Sequence, residues 1–277
     1  MINPTHTDSG FPPFALLRSV WRNRILIRRL AGRELTARWR GTMLGALWSF
    51  ATPLLTFGVY SFVFTVIFTS RWNTHHTGAQ SYPLLLFAGI LTFNIFSETT
   101  NRAPTLILEN TAYVKKVVFP LEILPWVSVL VALANALFGF LILAVAYLVV
   151  LGLPPTTALL APFVLIPLIL ICLGLGWLLA SLGVFVRDIR QLVTVLTTLL
   201  MFLSPVFFSL EGAPAKFQKI LAFNPLSAPL EALRSVLFWG ELPNFGALGI
   251  SFVEGLLLAI LGWMWFARTR KAFADVL

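Results

Sequence analysis

From Met43 to Thr69 the chain carries no charged residue. At ~1.5 Å per helical residue this stretch outreaches a hydrocarbon core of ~30 Å. It follows directly on the cationic segment Arg38–Trp39–Arg40 and two glycines, Gly41 and Gly45, so one stretch both marks topology and forms a first wall. With 58% hydrophobic and 11% charged residues over 277 positions, the remainder reads as an all-α polytopic membrane domain. The net charge of +9 would point to nucleic acid in a soluble protein. Here the cations flank apolar spans, where membrane lipid headgroups and topology account for them, and nucleic acid is set aside as a partner. The single Cys172 lies in an apolar run, which excludes an internal disulfide.

Residues 1–13 are polar and read as a flexible tail. Over 14–34, Leu16, Val20, Ile27 and Leu30 share one helical face and Arg18, Arg22, Arg29 and Arg33 the other. That is a basic amphipathic helix in the interface plane, serving either as a lipid anchor or as a gate at the mouth of a pathway. A cleavable signal sequence needs an uninterrupted apolar core, which the arginines between 18 and 40 deny, so the first span is expected to be retained. Apolar runs predict six spans at about 51–69, 82–100, 123–151, 158–186, 192–208 and 245–266. Gly174, Gly176, Ala180 and Gly183 mark a face of the fourth that another helix approaches closely. Asp188 is read as the cap of the fifth.

Two segments do not fit as simple loops. Residues 110–119 combine Asn110 and Thr111 as N-cap candidates with Tyr113, Lys115, Lys116, Val117 and Phe119, and Pro120 stops the turn. Residues 209–243 alternate short apolar patches with Pro214, Pro225 and Pro229, which predicts paired helices that re-enter the membrane without crossing it. Sixteen of the twenty Lys and Arg fall in the N-terminal region, 101–122, 187–190 and the C-terminus. The positive-inside rule then places both termini in the cytoplasm and requires an even number of crossings.

None of the five lysines sits in a Gly-rich phosphate loop, so the chain is expected to lack its own nucleotide site. Acid–base pairs and metal-ligand clusters are missing too, and the adjacent His75 and His76 have no third ligand nearby. A membrane enzyme is disfavoured on those grounds. Glu98 and Glu254 are the carboxylates inside spans, with Glu254 deep enough for its charge to be costly. Phe50, Phe57, Tyr60, Phe64 and Phe68 step by seven, three, four and four along one face of the first span. Such a stripe is either helix packing or a wall of ring faces along which a sugar polymer slides.

The motifs LTARWRGTMLGALWSFATPLL at 35–55, YVKKVVFPLEILP at 113–125, LGLGWLLASLGVFVRDI at 173–189, LSPVFF at 203–208, FNPLSAPLEALRSVLF at 223–238 and the tail FARTRKAFADVL occur in this order. Together they resemble the type-2 ABC transporter permeases that export lipid-linked polysaccharides such as O-antigen, capsule and teichoic acid. The resemblance implies a multi-pass subunit of the bacterial inner membrane that forms a homodimer and recruits two copies of a nucleotide-binding subunit, where Mg-ATP is held. It further implies that 110–119 is a coupling helix, that 14–34 is a gate helix and that 214–238 is a pair of periplasmic gate helices. Arg29, Arg33, Arg38 and Arg40 then stand where the pyrophosphate of an undecaprenyl-linked polysaccharide would arrive. A small-molecule, lipid or drug exporter of the same superfamily is the alternative.

Overall fold

The computed structural model describes residues 12–67, 82–114, 119–210 and 212–277, and every regular element among them is helical. Residues 1–11, Phe68, the loop with His75 and His76, and Lys115, Lys116 and Val117 lie outside the described residues. Helix α1 runs Pro12–Trp39, longer at both ends than the expected 14–34. Proline suits a first helical turn, whose N–H groups lack intrahelical partners, and nothing breaks the pattern until Gly41. The α1 face bearing Ile27 and Ala31 is buried against Ile123, Val127 and Val131. The helix thus lies on a neighbouring element as well as presenting Arg22, Arg24, Arg28 and Arg29 outward.

Gly41 and Gly45 both have positive φ, 83° and 51°, and let the chain turn tightly into α2, Trp48–Phe62. A π-helical turn, Val63–Ile67, continues α2. Helix α3, Tyr82–Arg102, is the centre of the domain, with every residue from Tyr82 to Phe93 buried. After two short 3-10 turns comes α4, Thr111–Val114, then α5, Leu124–Val150. The next span is interrupted: α6, Ala161–Val164, and α7, Ile166–Phe185, are offset where Pro162 and Pro167 withhold backbone donors. Helix α8 is Ile189–Leu203. The run expected to continue to 208 stops there, because Pro205 forces Ser204 into an extended conformation, φ −106° and ψ 152°. Asp188 stands at the N-cap of α8, but its carboxylate makes no capping bond. The expected cap is corrected on that point.

Two eight-residue helices follow, α9 Ala215–Ala222 and α10 Ser227–Arg234, each ~12 Å long and too short to cross. Asn244 then caps α11, Phe245–Thr269, by accepting from the Ala247 N–H at 3.1 Å. The chain ends in α12, Phe273–Val276, with Phe273 fully buried on Phe266 and Phe185. Among the described residues four helical segments are long and apolar enough to span a membrane: Tyr82–Thr105, Leu121–Val150, Thr156–Phe185 and Phe245–Val276. The chain is a multi-pass membrane protein. Helix α11 packs most closely on α7, where a Cβ on Gly262 would strike the Gly174 backbone; a Cβ on Gly183 would strike Pro104.

One contact ties the short helices to the core. The Arg234 guanidinium, fully buried, donates to the Pro205 carbonyl at 2.5 Å, to Val206 at 2.7 Å and to Leu85 at 3.4 Å. Glu231 Oε1 lies 3.4 Å away and also accepts from the Leu210 N–H. The approach needs Gly89 on α3, since a Cβ there would collide with Arg234 Nη2 and crowd the Val206 oxygen at 3.0 Å. Gly89→Ala should therefore cost about 1–3 kcal/mol of stability, as overpacking does. The loss should shrink in an Arg234→Ala background. Thermal unfolding of the four purified variants checks this, and equal penalties in both backgrounds would contradict the assignment.

Candidate functional site

The Arg102 end of α3 gathers the charged chemistry. Glu98 and Arg102 lie one helical turn apart on α3, as do Glu34 and Arg38 on α1, and the two pairs face each other in antiparallel order. Arg38 Nη2 reaches Glu98 Oε1 at 2.5 Å, and Arg102 pairs with Glu34. Asn135 of α5 donates its amide to the same Glu98 oxygen at 2.8 Å. Asn101 donates to Ser97 and accepts from Thr197 of α8 at 2.9 Å. These side chains are a fifth to a third exposed, so each ion pair is partly shielded from water without being stranded.

The ladder continues toward α4. Arg102 Nη2 stands 3.8 Å from Glu109, in the turn just before α4. Arg33 donates to the Tyr113 hydroxyl at 2.9 Å, with its guanidinium 6.0 Å from the ring centroid. The Tyr113 ring stacks on Phe119 at 4.2 Å and 8°. Asn110, read as a cap, instead donates back to the Leu106 carbonyl at 2.8 Å, and Thr111 is half-buried. Helix α1 and the short α4 segment are thereby joined twice, through Arg33–Tyr113 and through Glu34–Arg102–Glu109.

Above the Arg38–Glu98 pair, a groove of about 330 Å³ opens between α2, α3 and α5. Ser49, Thr52, Asn94 and Asn135 supply polar groups, Trp48 an aromatic edge, and Phe87, Leu91 and Ala132 an apolar wall. A larger cavity of about 530 Å³, between α5, α6–α7 and the turn after α10, has walls of aliphatic and aromatic side chains such as Leu137, Phe140, Leu165 and Phe238. In a membrane, acyl chains suit such walls. The polar groove is the better candidate for recognition.

The structure scatters the remaining residues singled out in the sequence. The aromatic stripe of α2 turns into the chain: Phe57 packs on Phe87 at 4.9 Å, Phe64 on Tyr82 and Phe207 at 6.0 Å, Tyr60 on Phe64 at 6.3 Å, and Phe50 edge-on to Phe138 at 4.9 Å. Phe50 stays partly open all the same, and the rest of the open face is Leu54, Leu55, Val59, Phe62 and Val66. Arg29 and Arg40 are exposed and stand apart from the ladder. Glu254 is exposed on α11, with no hydrogen bond or ion pair to a described residue. Glu34, Asn94, Asn101, Arg102, Glu109 and Asn135 escaped the sequence reading. For the ladder, a signal was present in the complementary i, i+4 charges of Glu34/Arg38 and Glu98/Arg102.

A family model described as ABC-2 type transporter matches residues 25–238, from the middle of α1 through the turn after α10. The ladder, the groove and Arg234 all lie inside that match. Among relatives, the O-antigen export system permease protein RfbA of Myxococcus xanthus is 30% identical over 266 residues, covering 94% of this chain and 98% of that protein. RfbA of Klebsiella pneumoniae is 25% identical over 250 residues, 90% of this chain and 93% of that protein. The polysialic acid transport protein KpsM of Escherichia coli is 23% identical over 254 residues, covering 90% and 94%.

Exchanging the charges of one ladder rung tests whether the pair acts as a unit. Arg38→Glu alone puts two carboxylates together and should lower the melting temperature of the purified chain. Adding Glu98→Arg should recover most of that loss, with a coupling energy of about 0.5–3 kcal/mol in the double-mutant cycle. Additive losses would show that the rung is incidental.

Proposed function

The chain belongs to the ABC-2 type transporter family, and from that premise we propose that it is the membrane permease subunit of an ATP-driven exporter that moves a lipid-linked polysaccharide, of O-antigen or capsule type, from the cytoplasm across the bacterial inner membrane. The observation that carries the reading is similarity over nearly the whole chain to permeases named for O-antigen export and for polysialic acid transport. The chain supplies the path and a separate nucleotide-binding subunit supplies hydrolysis. In this reading α2 and α8 join the four long helices to give six crossings, α9 and α10 re-enter without crossing, and both termini face the cytoplasm. Two permease copies face each other and bind two nucleotide-binding subunits, and the cargo hangs from an undecaprenyl carrier.

The segment around α4 and Phe119 is the docking element for the nucleotide-binding subunit. Its stacked Tyr113–Phe119 pair forms a rigid knob, and Arg33 holds the knob to α1. The arginines of α1 and of the Arg38–Arg40 turn meet the pyrophosphate of the carrier. The larger apolar cavity favours a second reading, export of a lipid or drug. Deleting the gene separates the two. A polysaccharide exporter leaves cells without surface polysaccharide and with carrier-linked polymer accumulating inside; unchanged surface polysaccharide would overturn the proposal.

The coupling role makes a sharper demand. Tyr113→Glu should cut permease-stimulated ATP hydrolysis by roughly tenfold, within the usual range for a coupling interaction, while the permease still folds and inserts. Tyr113→Phe keeps the stacked ring and should lose much less. Equal stimulation by all three proteins would remove α4 from the coupling path.

A further inference from the structure

Asn94 is the single exposed residue of α3, in the turn just before Glu98. Its side chain opens into the groove between α2, α3 and α5 and makes no hydrogen bond to a described residue. Its donors and acceptor are unused among the described residues and are open to whatever occupies the groove. Two nearby acceptors are also spare. Glu98 receives Arg38 and Asn135 on Oε1, leaving Oε2, and Asn135 spends its amide N–H on Glu98, leaving its carbonyl.

The charge balance narrows the ligand class. Arg38 and Glu98 neutralise each other at one end of the groove, and its other lining residues carry no charge, so neither a bare anion nor a bare cation gains from entering. What remains is a set of neutral donors and acceptors, Asn94 and Asn135, toward the Arg38 end, an apolar stretch of Phe87, Leu91 and Ala132 further along the same faces of α3 and α5, and the Trp48 ring at the edge. A pyranose offers a partner for both, with hydroxyls around its rim and C–H groups on its faces.

We propose that this groove is a subsite for one uncharged sugar ring of the carrier-linked glycan, an inference that rests on the polysaccharide reading above and names where the cargo is recognised. Asn94 donates to and accepts from the ring hydroxyls, Glu98 Oε2 and the Asn135 carbonyl accept, and Trp48 covers a C–H face. The ring sits beside Arg38, so a diphosphate attached to it reaches the Arg38–Arg40 turn. Recognition is then of the first sugar on the carrier, whatever the length of polymer behind it.

The full-length chain in nanodiscs of phosphatidylcholine, whose headgroup lacks a polyol, provides the test. Two probes are compared: a polyprenyl diphosphate bearing one neutral hexose and the same polyprenyl diphosphate without sugar. The wild-type chain should bind the sugar-bearing probe roughly tenfold more tightly, the worth of one or two well-made hydrogen bonds. Asn94→Leu should abolish the preference and leave binding of the sugarless probe and the melting temperature unchanged, while Asn94→Gln should retain part of it. Equal binding of both probes, no binding of either, or a preference that survives Asn94→Leu would overturn the subsite. So would loss of the preference when phosphatidylglycerol is added, which would identify a lipid headgroup as the occupant. Surface polysaccharide in the deletion strain keeps the two claims apart: if it disappears while the nanodiscs show no preference, the exporter stands and the subsite falls.

Discussion

A guanidinium with no solvent exposure lets this chain break a helix inside an apolar domain. Pro205 ends α8 and leaves the Pro205 and Val206 carbonyls without helical partners. In a hydrocarbon setting such groups cost several kcal/mol each unless protein satisfies them. Arg234 satisfies both, and in return the carbonyls and Glu231 compensate its own desolvation. The contact with Leu85 reaches one residue further into the architecture. By helical geometry the Leu85 carbonyl also faces the N–H of Gly89, the residue whose missing Cβ admits the guanidinium. One side chain thus fixes α10, the Ser204–Phe208 turn and α3 to each other, and the short helices α9 and α10 hang from that junction.

The opposite end of α3 is tied down by a different device. There the charges are partly solvated and arranged as reciprocal rungs, so losing one would leave its partner reachable by water. Their value is in register: Glu34 and Arg38 meet Arg102 and Glu98 in only one sliding position of α1 along α3. Apolar burial of Ile27 and Ala31 on α5 sets the rotation of α1, and Arg33 fixes it to Tyr113. Helix α1 is therefore held in translation, rotation and attachment by three kinds of force. A displacement of the α4 segment bears directly on α1 and, through Arg38, on the mouth of the groove.

Depth, breaks and close approaches were legible in the sequence because they depend on local composition. Uncharged length marked the four long helices, the prolines at 214 and 225 marked the bounds of the short ones, and the glycines of α7 marked where backbones touch. The stop at Pro205 was missed, and the run was expected to continue to 208. Direction was not legible. The stripe Phe50, Phe57, Tyr60 and Phe64 lies on one face of α2, as its spacing requires, but only the tertiary arrangement decides that this face meets Phe87, Phe138 and Phe207 and leaves a mostly aliphatic surface with Phe62 open. Arg234 counted in the sequence as one loop cation among four. Its burial depends on carbonyls freed 28 and 29 residues earlier, which no local pattern reports. Likewise the partners of Glu98 were hidden, because its donors, Arg38 and Asn135, come from two other helices.

The two span carboxylates show what that difference means chemically. Glu98 is surrounded by donors from α1 and α5, so its charge is held in place and part of it remains available to the groove. Glu254 stands about nine residues into α11, on a face shared with Leu257 and Leu261 and away from the α7 contact, and meets no donor among the described residues. A charge at that depth in an apolar helix is costly, and no described residue of this chain offsets it at Glu254. Hydropathy treats both residues as the same interruption of an apolar run. The fold separates them: one carboxylate is met by donors from its own chain, and the other meets none among the described residues.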